Sequence, residues 1–190
     1  MNIRKAKLED AEAIAPLLML ASGDVIYKFI GEEQYEKGKA FLLHFVSSEE
    51  NQYSFQNCYV VLDGGQVVAA ALVYDGARLE ELRRPVLDYV HQHYDANLKV
   101  EDETQAGEFY IDSLGVALSH QGKGLGSKML GYLIEEIVYK QSQTLGLLVD
   151  KTNYRAKKLY KRLGFAFVED RELLGFSMEH LQVSKDNPSD

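Results

Sequence analysis

Two hydrophobic rhythms run through this chain. One repeats every three or four residues and predicts helix; the other alternates or runs unbroken and predicts strand. Ile3-Arg4-Lys5-Ala6 reads as a short first strand. Leu8-Glu9-Asp10 opens a helix with acids in the first turn, where the helix dipole favours them. Ala13, Ile14, Leu17, Leu18 and Ala21 form its apolar face, and Pro16 inside that face predicts a kink or a start beyond Asp10. Residues 24–46 read as helix in two pieces, one around Ile26, Phe29 and Ile30, the other around Phe41, Leu42, Phe45 and Val46. Cys58 to Leu62 and Gln66 to Tyr74 are β-favouring runs. Asp63-Gly64-Gly65 between them is a hairpin turn, because glycine reaches positive φ at little cost.

Residues 76–107 break the rhythm. Arg78 to Tyr94 is helical in character, with Leu79, Leu82, Val86, Leu87 and Val90 on one side and Pro85 interrupting it; Asp95 to Gly107 is polar and acid-rich and reads as loop. An excursion of this length between strands is often functional. Strand returns at Glu108 to Leu118, followed by a glycine-rich turn over Gln121 to Gly126. Ser127 to Lys140 is helix, with Met129, Leu130, Leu133, Ile134 and Ile137 as its buried stripe. Leu145 to Val149 is strand, Asn153 to Leu163 helix with Gly164 as its C-terminal cap, and Phe165 to Val168 and Phe176 to Val183 are strands. The predicted fold is α/β (α+β): a mixed, mostly antiparallel central sheet with one parallel strand pair and helices on both faces. Residues 1–183 form one domain with 76–107 as an insertion, and 184–190 are a polar C-terminal tail.

Composition narrows the function. At 190 residues the chain suits a single domain, and 46% hydrophobic with 26% charged residues excludes wholesale disorder. Its single cysteine, Cys58, excludes an internal disulfide and any zinc site with two thiolates. No unbroken run of about 18 apolar residues occurs, so no membrane span is expected. The charged N-terminus lacks the apolar stretch of a signal peptide, and the expectation is a cytoplasmic protein. A net charge of -8 argues against nucleic acid as a partner. Yet Lys151, Arg155, Lys157, Lys158, Lys161 and Arg162 cluster without an acid among them, which suits a local anionic ligand or a solvated helix face.

The turn Gln121-Gly122-Lys123-Gly124-Leu125-Gly126-Ser127 lies between a strand and a helix. Its glycines allow close backbone approach, and the free amides of the helix N-terminus carry partial positive charge. Taken alone, such a turn is either a site for phosphate or pyrophosphate or a glycine-rich turn that binds nothing. The spacing is neither that of a Walker A loop nor the G-x-G-x-x-G of a dinucleotide site.

The flanks decide more. Tyr110-Ile111-Asp112-Ser113-Leu114-Gly115-Val116 followed by Gln121-Gly122-Lys123-Gly124-Leu125-Gly126 resembles motif A of the GNAT superfamily of acyl-CoA N-acyltransferases, Gln/Arg-x-x-Gly-x-Gly/Ala, matched at Gln121, Gly124 and Gly126. Asn153 to Phe165 resembles that superfamily's motif B, matched at Asn153, Ala156, Leu159, Tyr160, Gly164 and Phe165. Ile3 to Ala6 with Glu9-Asp10-Ala11 looks like the usual start; the likeness covers this start, the hairpin and everything from 108 onward, and does not cover 76–107. The resemblance implies an N-acetyltransferase that moves an acetyl group from acetyl-CoA to a primary amine: a small amine, a peptide N-terminus or a lysine. It assigns the cofactor's acetyl and pantetheine portion to Leu114, Gly115 and Val116. It assigns the pyrophosphate to Gly122, Lys123, Gly124, Leu125, Gly126 and Ser127 with Gln121, and the pantetheine arm to Asn153. It makes Tyr160 the catalytic acid beside the sulfur. The implied reaction is direct attack by a neutral amine, aided by positioning and by a backbone amide, that of Val116, facing the developing oxyanion. A homodimer is an option, dimers being common in the family.

The base that deprotonates the amine stays open among Glu108, Asp112, a residue of 76–107 and a water chain. Leu148 stands where some family members carry a glutamate. Cys58 reads as core, His120 as a turn residue, and His91 with His93 as a poor metal pair on a helix, so no metal is expected. A non-catalytic acyl-CoA sensor on the same fold shares the cofactor motifs, and a nucleotide-binding protein would use the glycine turn alone. The acids of the variable segments, among them Glu80, Glu81, Asp88, Glu101, Asp102 and Glu103, suit a cationic acceptor or a solvated surface.

Overall fold

A computed structural model describes residues 1–186. Of the tail expected at 184–190, residues 187–190 therefore lie outside the described part. Seven strands form one sheet in the order β1-β2-β3-β4-β5-β7-β6: β1 (Asn2–Lys5), β2 (Cys58–Asp63), β3 (Gln66–Asp75), β4 (Phe109–Val116), β5 (Leu145–Asp150), β6 (Ala166–Leu173) and β7 (Phe176–Val183). Every neighbouring pair is antiparallel except β4 with β5. This is the mixed sheet that the sequence predicts, with one parallel pair.

Five α-helices cover the two faces: α1 (Ala11–Ile30), α2 (Tyr35–Val46), α3 (Leu79–His93), α4 (Leu125–Leu133) and α5 (Tyr154–Arg162). One core layer joins α1, α2 and α3 to the sheet through Leu18, Ile26, Leu42, Leu72, Leu82 and Val86. The other joins α4 and its continuation through Met129, Leu133, Ile137, Leu145 and Leu147. The alternation of strand side chains feeds both layers: Val60 and Leu72 face the first, Val61 and Val73 the second.

Several boundaries differ from expectation, each for a local reason. Pro16 sits inside α1 without breaking it. The break falls at Ser22, which leaves helical geometry at φ -137°. The Ser22 hydroxyl donates to the Leu18 carbonyl (3.1 Å) and meets the Ser113 hydroxyl (2.9 Å), a side-chain bond of the kind that bends helices. The first piece expected within 24–46 is thus the far half of α1. Pro85 likewise leaves α3 continuous. With its preceding turn, α1 spans 23 residues that contain an 18-residue window of mean hydropathy 1.5, long and apolar enough by those measures alone to cross a membrane. Here its apolar face is buried in the first core layer. The helix expected from Ser127 begins at Leu125, because Gly124 takes the left-handed conformation (φ 77°) and starts it two residues sooner. Beyond Leu133 it widens into a π-helical stretch over Ile134–Lys140.

Candidate active site

Two irregularities of β4 build the site. The first is a β-bulge. Leu72 opposes Ser113 while Val73 opposes Ile111, so Asp112 is an extra residue in the strand. The bulge switches faces: Tyr110 belongs to the first core layer, whereas Leu114 and Val116 pack on the second. The second irregularity is a parting of strands. β4 and β5 pair only from Phe109↔Leu145 to Ile111↔Leu147, after which β5 stays with β7 as far as Asp150. A gap opens between Asp112 on one side and Leu148 on the other.

Hydrogen-bond alternation shows which backbone groups face the gap. The Ala117 amide donates to the Val68 carbonyl (2.9 Å), which makes that opposed pair hydrogen-bonded. In an antiparallel ladder bonded and non-bonded pairs alternate, so Gly115 turns its peptide groups towards β3, and Leu114 and Val116 turn theirs into the gap. Gly115 is needed for another reason. A Cβ there would stand 1.9 Å from the Leu17 carbonyl oxygen, so the missing side chain lets α1 cross β4 closely. Of the three β4 residues expected to hold the acyl arm, the structure brings Leu114 and Val116 to the gap and takes Gly115 away from it.

At one end of the gap lies the glycine turn. Gly122 (φ 75°) and Gly124 (φ 77°) occupy conformations that side chains rarely adopt, and nothing stands within 4 Å of where their Cβ atoms would be. Lys128 N–H makes a helical bond to the Gly124 carbonyl (3.0 Å). The amides of Leu125, Gly126 and Ser127 precede it as the free donors of the helix start. Gln121 donates to the Val116 carbonyl (3.1 Å) and ties the turn to β4, while Lys123 is exposed. His120 is bound to the hairpin through Asp63 (3.3 Å).

At the other end is a cavity of about 490 Å³. Its wall includes Ser22 and Asp24 from α1, Asp112 and Leu114 from β4, Leu148 from β5, and Asn153 and Tyr160 from α5. Asn153 caps α5, its side-chain oxygen accepting from the Ala156 amide (3.1 Å), which leaves its NH₂ for a ligand. Tyr160 stacks edge-on against Phe165 (5.8 Å), and its hydroxyl hydrogen-bonds to no described residue. Burial raises its pKa, so it keeps its proton. Both helical positions therefore look into one cavity, as their seven-residue spacing predicts.

The candidate bases separate. Glu108 lies off the cavity wall, buried, and accepts from Thr104 (2.6 Å), His180 (2.9 Å) and Gln182 (2.8 Å). Burial pushes its pKa up, but the bonds from His180, Thr104 and Gln182 outweigh that and leave it lowered. Asp112 lines the cavity, and burial raises its pKa against bonds from Ser113 (2.7 Å), Gln52 (3.0 Å) and Tyr74 (3.1 Å) and the charge of Arg83. Leu148 faces the cavity and carries no proton. Of the insertion's acids, Glu80, Glu81 and Asp88 are exposed on α3, and Glu103 alone lines the wall. Cys58 is buried and its thiol is pushed up to about 12 by that burial, as suits a core residue. Sequence reasoning missed Gln52 and Tyr74. Neither sits in a motif, and only the fold sets them beside Asp112.

Three comparisons bear on this geometry. The family described as Acetyltransferase (GNAT) family matches residues 28–165. Over 70 residues the chain is 36% identical to the mycothiol acetyltransferase of Corynebacterium aurimucosum, covering 37% of this chain and 22% of that one. Over 87 residues it is 35% identical to the spermine/spermidine N(1)-acetyltransferase of Bacillus subtilis strain 168, covering 45% of this chain and 55% of the relative. The match thus spans from 22% to 55% of the length of these curated relatives. Among solved structures, an N-acetyltransferase from Staphylococcus aureus Mu50 superposes with a TM-score of 0.84 at 21% identity, over 96% of this chain and 100% of that one. At that identity the likeness speaks for the fold alone.

Proposed function

From the premise that the chain belongs to the acetyltransferase (GNAT) family, we propose that it transfers an acetyl group from acetyl-CoA to the primary amine of a small cationic acceptor. The observation that carries this reading is the gap between β4 and β5. It has the free amides of a helix start at one end, two outward peptide groups along one side, and a carboxylate and a tyrosine at the other end. The residues fit the cosubstrate. Open space beside Gly122 and Gly124 lets a pyrophosphate approach the amides of Leu125, Gly126 and Ser127. The peptide groups of Leu114 and Val116 can bond an extended amide-bearing arm, and Asn153 can reach it from α5.

Bound acetyl-CoA supplies an activated thioester. Asp112 takes one proton from the acceptor's ammonium at its carboxylate and passes it to solvent. A backbone amide of β4 polarises the thioester carbonyl: Leu114 and Val116 both turn theirs into the gap, and Leu114 is the one that lines the cavity. Tyr160 Oη gives its proton to the departing sulfur and recovers one from the acylated nitrogen. Confining the two reactants in a half-closed cavity supplies the positioning. A cationic acceptor is supported by Asp24, Glu103, Asp112 and Asp150 on the wall, and by a relative named for spermine and spermidine.

The test is thiol release from acetyl-CoA across a panel of mono-, di- and polyamines, alongside calorimetric titration of the cosubstrate. Amine-dependent release at rates well above hydrolysis is expected. Binding without turnover on any amine would favour the acyl-CoA sensor, and no binding at millimolar cosubstrate would remove both.

A further inference from the structure

The insertion delivers one carboxylate to the cavity, and it arrives beside the one on β4. Gln52 Nε2 lies 2.7 Å from Glu103 Oε1 and 3.0 Å from Asp112 Oδ2. The Tyr74 hydroxyl lies 2.9 Å and 3.1 Å from the same two oxygens. Two donor groups thus bridge two acids. Gln52 is buried and lines the cavity, yet its Oε1 has no hydrogen-bond partner among the described residues. A buried acceptor left without a donor is costly, and it belongs to a side chain that lines the cavity together with two carboxylates. An alkylammonium brings three N–H donors and no acceptor. Arg83 stands behind this group, off the wall. It is ion-paired with Glu103, donates to Asp102 (3.0 Å) and to the Glu101 carbonyl (3.1 Å), and is itself buried.

We propose that Gln52, Glu103 and Asp112 form the ammonium-reading end of the cavity, and that Arg83 is a positioning residue that keeps Glu103 charged so that Asp112 is the member that accepts the proton. The inference rests on the amine-acetylating reading and deepens it. Two carboxylates that share donors do not hold two negative charges freely, so one of them carries the higher proton affinity. A guanidinium against Glu103 settles which. The other titratable groups around Asp112 are Tyr53, Cys58, Tyr74 from β3 and Tyr110 on β4, while Asp24 from α1, Asp150 and Tyr160 line the same cavity. None of these is a cation; the positive charge that acts on Asp112 is that of Arg83. The 76–107 segment is then a working part of the site. Its ends are pinned together by the Gly76 amide on the Glu108 carbonyl (2.9 Å), and Arg171 of β6 holds its far side at the Asp102 carbonyl (3.0 Å) and Gln105 (2.9 Å).

Two variants pull in opposite directions. Glu103→Gln removes a neighbouring negative charge and leaves Arg83 opposed by Asp102 alone, so the acidic limb of kcat/KM moves to lower pH and KM for the amine rises about tenfold, the weight of one charged hydrogen bond. Arg83→Met leaves the two acids uncompensated, and the same limb moves to higher pH. Gln52→Met raises the amine KM with no change in the affinity for acetyl-CoA. Carboxyl ¹³C titration of the resting protein reads the same opposed shifts without turnover, so the pair is tested even if no amine is acetylated. A parent enzyme inactive on all amines overturns the amine-acetylating reading. Limbs and titrations that stay together in Glu103→Gln and Arg83→Met, whatever happens to melting temperature, overturn the pairing.

Discussion

At the scale of single residues, the site depends on groups whose surroundings set their chemistry. Tyr160 has an ordinary phenol, but burial holds its proton and α5 aims it into the cavity. Tyr160→Phe is expected to lower kcat roughly a hundredfold or more, within the range of lost general acids, and to leave acetyl-CoA affinity intact. Single-turnover rates with a titration in parallel check it; an unchanged kcat removes Tyr160 from the chemistry. Gly115 is the opposite case, a residue chosen for what it lacks. Gly115→Ala drives a methyl into the Leu17 carbonyl, backbone against backbone. The expected loss is about 3 kcal/mol or more, read as a melting temperature lower by roughly 6–12 °C in a chain of this size.

At the scale of elements, α4 and β4 together frame the proposed cosubstrate site. Gly124 in the left-handed conformation brings the start of α4 forward and aims three free amides at the gap. Gly124→Glu adds backbone strain and an anion where the proposed pyrophosphate would lie. Gly124→Asn tolerates the same backbone and adds no charge. Calorimetry is expected to show the glutamate variant binding acetyl-CoA at least tenfold more weakly and the asparagine variant close to the parent. Equal affinities in all three would displace the pyrophosphate from this turn. The turn and the α5 face were legible in sequence because each is local: glycines at fixed spacing, and two residues seven apart on a helix. The bulge at Asp112 was not. One extra residue in a strand changes no composition and no periodicity that a short window resolves, yet it reverses the facing of Leu114 and Val116. Nor could the sequence show that β5 leaves β4 after Leu147, since pairing is decided by β7 on its other side.

At the scale of the whole molecule, the sheet has a tight end and an open one. At the tight end Glu108 is buried with His180, Thr104 and Gln182, over Gly146, where a Cβ would strike its carboxylate. Because the folded pKa of Glu108 lies below its ordinary value, the ionised form stabilises the fold above the unfolded pKa, and that contribution drains away as pH falls through the folded one. Urea midpoints are therefore expected to decline from about pH 4.3 downwards, with a flatter profile in Glu108→Gln. Parallel profiles would mean that Glu108 titrates alike in both states. Of the two acids in or beside β4 that the sequence offers as bases, Glu108 is thus bound up in the fold and Asp112 lines the cavity.

The sequence by itself determined most of the elements, the fold class and the two motifs that flank the gap. These rest on spacing, glycine conformation and helix termini, and such signals act within a few residues of one another. The tertiary structure alone decided which carboxylates meet. Gln52, Tyr74, Arg83, Glu103 and Asp112 come from five separate stretches, and no local rule relates them. Their proton affinities follow from shared burial and from which charge stands nearest, quantities that exist only once the chain has closed around them.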